Sequence, residues 1–323
     1  MILDSVFSIG NILPSAIQIG VVFLLGCVGE IIIEKSGNLN LGIPGVMCFG
    51  ATGGALGCSI AMKIIGEGDP NYLLVVFFGL FFCLLFGAIA GLIYSFLTVT
   101  LHSNQNVVGL ALTIFGGGFA NFLMNIIDQS KLSVASKLIK AKLPFADSLG
   151  VFGDIVFGHG ILVYLALGIA IAAFIVLKKT RIGLSLRAVG ENPATADAAG
   201  INVTGYKYGA ALAGSMIAGI GGFFYVMDFV GGSWENSATI QGMGWLALAL
   251  VMFTVWNPLL SCVGSLLFGF LYIAPNYIPS LSFFMDIVPY LVTIIVLVLT
   301  SIFGAKSVLP PASLGVNYFR EER

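Results

Sequence analysis

The sequence predicts an all-α integral membrane protein: a polytopic bundle of about nine transmembrane helices, within bounds of roughly eight and ten. Three observations carry this reading. Only 9% of the 323 residues are charged, against about 25% in an ordinary soluble domain. Hydrophobic residues make up 58% of the chain, and its mean hydropathy is +1.04. The apolar residues also fall into runs close to the ~20 residues that a helix needs to cross a bilayer. The 42 glycines agree with this class, because small residues let membrane helices approach closely.

Spans are expected over 13–33, 43–65, 72–99, 106–127, 158–177, 208–230, 240–256, 259–278 and 285–304. The first is expected to stay in the mature protein as a membrane helix, because Met1-Ile2-Leu3-Asp4 lacks the basic leading region of a cleavable signal peptide. It is followed by Glu30 and the polar run Ser36-Gly37-Asn38-Leu39-Asn40-Leu41-Gly42. A carboxylate one turn inside a membrane helix is costly unless it is paired or wet. Two readings stay open. Ser36, Asn38 and Asn40 border a substrate path, or the segment is an interfacial loop in which Glu30 or Glu34 pairs with Lys35. Leu101–Asn106 reads as a short turn with Asn106 capping the next helix. Within that helix, Gly116-Gly117-Gly118 weakens helix formation by about 1 kcal/mol per glycine relative to alanine. Close packing is the default explanation, and Asn121 is the best hint of a pore-facing surface. Asp228 and Asp286 fall near outer span ends, where water is expected to reach them.

The stretch 128–157 reads as an extracytoplasmic loop large enough to form a small unit. The stretch 178–207 is different: polar, charged and alanine-rich between two apolar runs. Pro193 suits the first turn of a short helix and Gly200 its C′ position. A solvated connector is the competing reading. With this island inside, nine of the 14 lysines and arginines fall on the cytoplasmic side and five outside. The N-terminus is then outside and the 305–323 tail inside. Asn257-Pro258 reads as a tight turn between two spans. Asn38–Gly42 and Ala238–Gly242 each precede a small-residue helix, which points to inverted repeats. Chance in a glycine-rich chain competes with that explanation.

Several functions are disfavoured. Cys27, Cys48, Cys58, Cys83 and Cys262 lie in or beside apolar runs and read as small buried hydrophobes. His102 and His159 have no metal-like spacing, so no metal or cofactor is expected. No catalytic constellation and no GxxxxGK[ST] phosphate loop occurs. A net charge of −1 gives no basic surface for nucleic acid.

Gly183-Leu184-Ser185-Leu186-Arg187-Ala188-Val189-Gly190-Glu191-Asn192-Pro193, followed by Ala199-Gly200-Ile201, resembles the coupling loop of ABC importer permeases. The group is the one that includes ribose, other simple-sugar, branched-chain amino acid and nucleoside permeases. Glu34–Gly42 resembles its N-terminal signature, and Pro310–Arg323 resembles the C-terminus of the shorter permease of nucleoside-type importers. The resemblance covers nearly the whole chain. Pro44 departs from it, since relatives commonly carry glutamate there.

The resemblance implies a multi-pass subunit of the bacterial plasma membrane that moves nucleosides by alternating access. Simple sugars such as ribose are the alternative substrate, and an ion-coupled secondary transporter is a more distant reading. Implied partners are a second permease, ABC ATPase subunits, an extracytoplasmic substrate-binding lipoprotein and membrane lipid. Arg187, Gly190, Glu191, Asn192, Pro193, Ala196, Ala199 and Gly200 are the implied coupling residues. Asn38, Asn40, Phe119 and Asn121 are the candidate path residues.

Overall fold

The computed structural model describes residues 2–65, 71–141, 150–274 and 310–319, with isolated positions between 287 and 298. Its regular structure is all helical: α1 Ile2–Glu34, α2 Ile43–Ile65, α3 Tyr72–Ser95, α4 Gln105–Met124, α5 Gln129–Ile139, α6 Gly150–Val156, α7 Ile161–Lys179, α8 Arg181–Glu191, α9 Pro193–Ala198, α10 Val203–Phe224, α11 Ala238–Phe253 and α12 Pro258–Ile273. Each of the first eight expected spans coincides with an apolar helix. Six of these helices are long enough to cross a bilayer, and α11 and α12 are shorter. The ninth expected span, 285–304, falls almost wholly outside the described residues, as does Asp286.

Burial sorts the spans into a centre and a rim. The most apolar window is 83% buried in α1 and α2 and 72% in α10, but 28% in α3, 39% in α4 and 33% in α7. The rim helices turn large apolar side chains outward, such as Phe77 and Phe81 on α3 and Ile114 and Phe122 on α4. That pattern suits hydrocarbon solvent and not water.

The centre closes because backbone meets backbone. A Cβ added at Gly50 of α2 would lie 2.2 Å from Gly219 of α10. One added at Gly222 would lie 1.9 Å from the Met47 carbonyl oxygen. Only glycine permits that approach, as small-residue packing in membranes requires. Beside this seam Phe223 packs over Gly54 and Gly79, and Phe23 meets Phe268 where α1 packs on α12; all three rings are fully buried.

Local chemistry fixes the helix ends. The Asn104 side chain, not that of Asn106, accepts from the Asn106 and Val107 amides and caps α4. This corrects the expected cap, and the reason is geometric: the capping oxygen must stand two and three residues before the amides it receives. The tight turn expected at Asn257-Pro258 is present: Asn257 caps α12 with Pro258 in its first turn, and Val255 and Trp256 take left-handed φ of 54° and 51° to close it. Two helices end in single π turns, Phe96–Thr100 after α3 and Tyr225–Phe229 after α10. Asp228 in the second of these is fully buried, against the expectation that water reaches it. Its Oδ1 accepts from Gln18 Nε2 at 3.2 Å, so α1 supplies a polar partner in place of solvent.

The 128–157 stretch contains α5 and α6. Asp128 caps α5, and hydrogen bonds from the Ser130 hydroxyl and amide hold its carboxyl below the usual range. Ser136 Oγ donates to Met227 O at 2.6 Å, tying α5 to the end of α10.

Substituting valine for Gly222 should destabilise the protein by about 1–3 kcal/mol or block folding, because the added carbon meets a carbonyl. Gly118 faces open space. Gly118→Ala should be neutral or slightly stabilising, by up to ~1 kcal/mol from helix propensity. Thermal unfolding in detergent, followed by size-exclusion chromatography, checks both.

Candidate functional site

The three stretches that carry the family resemblance converge at one end of the bundle. They are the loop 35–42, the 178–207 island and the tail. Gly315 N donates to Gly37 O, and Ser313 N donates to Gly190 O, each at 3.0 Å. The Ala312 amide donates to Glu191 Oε2 at 3.3 Å, and the Tyr318 hydroxyl to Asp197 Oδ2 at 2.8 Å. Asn317 accepts from Gln105 Nε2 at 3.1 Å and donates to His102 O at 2.6 Å.

The loop 35–42 lies at the centre of this knot. It is mostly buried, and its backbone groups are met from several helices, while Asn38 Oδ1 and Asn40 Nδ2 are buried without a hydrogen-bond partner among the described residues. Leu39 N donates to Gln105 Oε1 at 2.7 Å, and the Tyr94 hydroxyl donates to Leu39 O at 2.8 Å. Asn38 Nδ2 donates to Lys207 O at 3.2 Å, and Asn40 N donates to Glu30 Oε1 at 3.0 Å. Asn40 Oδ1 accepts from Gly42 N at 2.9 Å, which turns the chain into α2. Glu30 therefore receives a backbone amide. Glu34 receives the indole N–H of Trp256, from the α11–α12 turn. Lys35 stands 5.8 Å from the centroid of that indole ring. Burial pulls its ammonium below the ordinary lysine range, Glu191 opposes the shift, and Arg187 adds to it.

The island folds as two helices, α8 and α9, joined at Asn192. Thr180 Oγ1 accepts from Gly183 N at 3.1 Å and starts α8. Asn192 Oδ1 accepts from Thr195 N at 3.0 Å and starts α9, with Pro193 in its first turn. Gly200 follows with φ of +84°. Val189, Ala196 and Val203 form a small apolar core beneath the pair.

The named island residues divide by this packing. Gly190 and Ala196 are buried, Pro193 is half-buried, and Arg187, Glu191, Asn192, Ala199 and Gly200 are exposed. A Cβ on Gly190 would lie 2.4 Å from Lys35 O, so this glycine seats α8 on the loop. Asn38 and Asn40 are fully buried at the island end. Phe119 and Asn121 sit toward the far end of α4 and do not join them. Phe119 stacks on Phe49 with ring centroids 4.7 Å apart. Asn121 Oδ1 accepts from Ser237 N at 3.0 Å, and its Nδ2 donates to Ser237 Oγ at 3.1 Å, so both ends of its amide are engaged at the start of α11. The two echoing segments meet through α4: Thr113 Oγ1 donates to Leu41 O at 3.0 Å, and Gln241 Nε2 donates to Thr113 O at 2.9 Å.

Sequence reasoning missed the Glu34–Trp256 bond, the tail's grip on the island and the burial of Lys207. The side chains Tyr318 and Asn317, polar groups in a short terminal run, were the available signal for the second. Among the described residues no cluster of His, Cys, Asp or Glu could hold a metal ion.

Residues 11–297 match the family model described as the permease component of the branched-chain amino acid transport system. The chain belongs to this family. It is 33% identical over 308 residues to the nucleoside ABC transporter permease protein NupC of Lactococcus lactis, spanning 91% of this chain and 92% of the relative. It is 28% identical over 338 residues to the guanosine ABC transporter permease protein NupQ of Bacillus subtilis, spanning 99% and 100% of the two chains. The protein is thus a multi-pass permease of the plasma membrane, and six of its helices are long and apolar enough to cross it.

Replacing Trp256 by Phe leaves the buried Glu34 carboxylate without its indole donor. Stability should fall by about 1–3 kcal/mol, the cost of an orphaned buried polar group. Adding Glu34→Gln to that background should recover part of the loss, read as the midpoint of thermal unfolding.

Proposed function

We propose that this chain is the permease subunit of an ATP-driven importer and forms the translocation path for nucleosides by alternating access. The island is the cytoplasmic coupling element in this reading, the 128–157 stretch lies outside, and the 305–323 tail lies inside. The bundle crosses nine times, with 285–304 as the ninth span, and its two polar-led helices belong to inverted repeats. The path includes Asn38 and Asn40 at the cytoplasmic end and Phe119 and Asn121 toward the outside. Partners are a second permease, the ABC ATPase and an extracytoplasmic binding lipoprotein.

The observation that carries the reading is mechanical. The α8–α9 element is fastened to the bundle by Gly190, Ser313 and Tyr318, while its outer surface offers small side chains at Ala194, Ala198, Ala199 and Gly200. A low, exposed surface admits close docking of a partner, and a stiff attachment passes that partner's motion to the bundle. A bare connector would absorb it. The nucleoside assignment is supported by both relatives described above, a nucleoside permease and a guanosine permease. A sugar substrate has the support of one relative, the putative glucose ABC transporter permease protein TsgC13 of Haloferax volcanii, 31% identical over 277 residues that span 85% of this chain and 80% of the relative.

Ala198→Trp places bulk on the outer surface of α9, away from its buried core. ATP-driven uptake by the reconstituted importer should fall at least about tenfold through a steric clash, with the unfolding temperature unchanged. Full uptake would remove the docking role. Excess unlabelled nucleoside should suppress labelled guanosine uptake, whereas ribose and leucine should not; suppression by ribose alone would transfer the assignment to sugars.

A further inference from the structure

At the island end, between α7, α8 and the α11–α12 turn, a pocket of about 260 Å³ is lined by Lys35, Lys178, Arg187, Trp256, Asn257 and Leu260. Its lining contains three cations and no acid. Among the described residues none of the three cations makes an ion pair. Lys178 rests on the Phe174 ring at 4.9 Å, and Arg187 Nε donates to Gly183 O at 3.4 Å. Two acids act on Lys35, Glu191 and Glu34. Glu34 already accepts from Trp256, and Glu191 from the Ala312 amide. Arg187 opposes the charge on Lys35 while Glu191 and Glu34 favour it, so the exposed Lys178 and Arg187 are the cations left open to an entering anion.

The flanking surface says which anion fits. Lys178 ends an exposed apolar stripe on α7 that includes Ile171 and Ile175, at helical spacings of seven and three. Leu260 begins another on α12, continued by Val263 and Leu267. The two helices pack together, so both stripes run from the pocket into the hydrocarbon-facing surface. A ligand matching this arrangement has a phosphate at one end and long alkyl chains at the other. Basic pockets between membrane helices bind acidic headgroups on this principle.

We propose that the pocket binds the phosphate of an anionic phospholipid, with its acyl chains laid along α7 and α12. Lys178 and Arg187 supply the exposed charges, and Lys35 supplies the deeper one. The site needs only a bilayer around the helices; Arg187 is also an implied coupling residue, so lipid retention is read on the chain without its ATPase, where neither cargo nor docking enters.

Native mass spectrometry of the purified full-length chain tests it. Phosphatidylglycerol and phosphatidylcholine of identical chains are offered in equal amounts. The wild type should retain phosphatidylglycerol about tenfold more than phosphatidylcholine. Lys35→Gln/Lys178→Gln/Arg187→Gln should abolish the preference. Lys178→Arg/Arg187→Lys, which keeps the charge, should retain it, as should Lys63→Gln at the other end of α2. If the triple variant does not fold, Lys178→Gln and Arg187→Gln singly should each lower the preference, since both side chains are exposed. Equal retention of the two lipids by the wild type would overturn the proposal. So would a preference that survives removal of the charges, or one that millimolar inorganic phosphate erases, which would mark a site for a free anion.

Discussion

The structure depends on one constraint: the short irregular segment between α1 and α2 runs through protein interior. Backbone amides and carbonyls buried without partners each cost several kcal/mol in a membrane setting. The segment is tolerated because Gln105, Tyr94 and Glu30 reach its backbone from three helices, while Gly315 of the tail meets Gly37. Asn38 and Asn40 turn inward and bond to backbone themselves. Once these partners are fixed, the positions of α3, α4, α10 and the tail follow.

The island inherits its position from the same knot. Gly190 must be a glycine because α8 rests against the Lys35 carbonyl. The Gly190 carbonyl is occupied by both the amide and the hydroxyl of Ser313. Residues that are distant in sequence and named for a resemblance therefore share a structural role before any partner is considered. Several of them hold the platform, and the exposed remainder is what a partner could touch.

Much of this fold was legible in the sequence because hydropathy reports burial in a bilayer directly. Pro193, Gly200 and Asn257-Pro258 marked turns through local backbone rules that tertiary structure did not override. The cap at Asn104 was misplaced by two residues, a distance that pattern alone does not fix. Asp228 was misread because a carboxylate near a span end ordinarily finds water, and the partner that replaces water, Gln18, lies 210 residues away. The same limit hid Trp256 from Glu34. Long-range polar partnerships leave no periodic trace. For the candidate path, one asparagine in a helix gives no direction, and the Ser237 partner of Asn121 lies 116 residues away.

The seam where Gly50 meets Gly219 and Gly222 meets Met47 has a mechanical meaning. Where two main chains touch with no side chain between them, there are no rotamers to rearrange and no compressible layer to shear. Such a contact is stiff, since close-packed interiors yield little and transmit strain. The α2–α10 pair is thus a poor hinge and a good girder. Any change of shape in this permease must pass around that pair and around the further glycine contacts that fasten α3 and α4 to it.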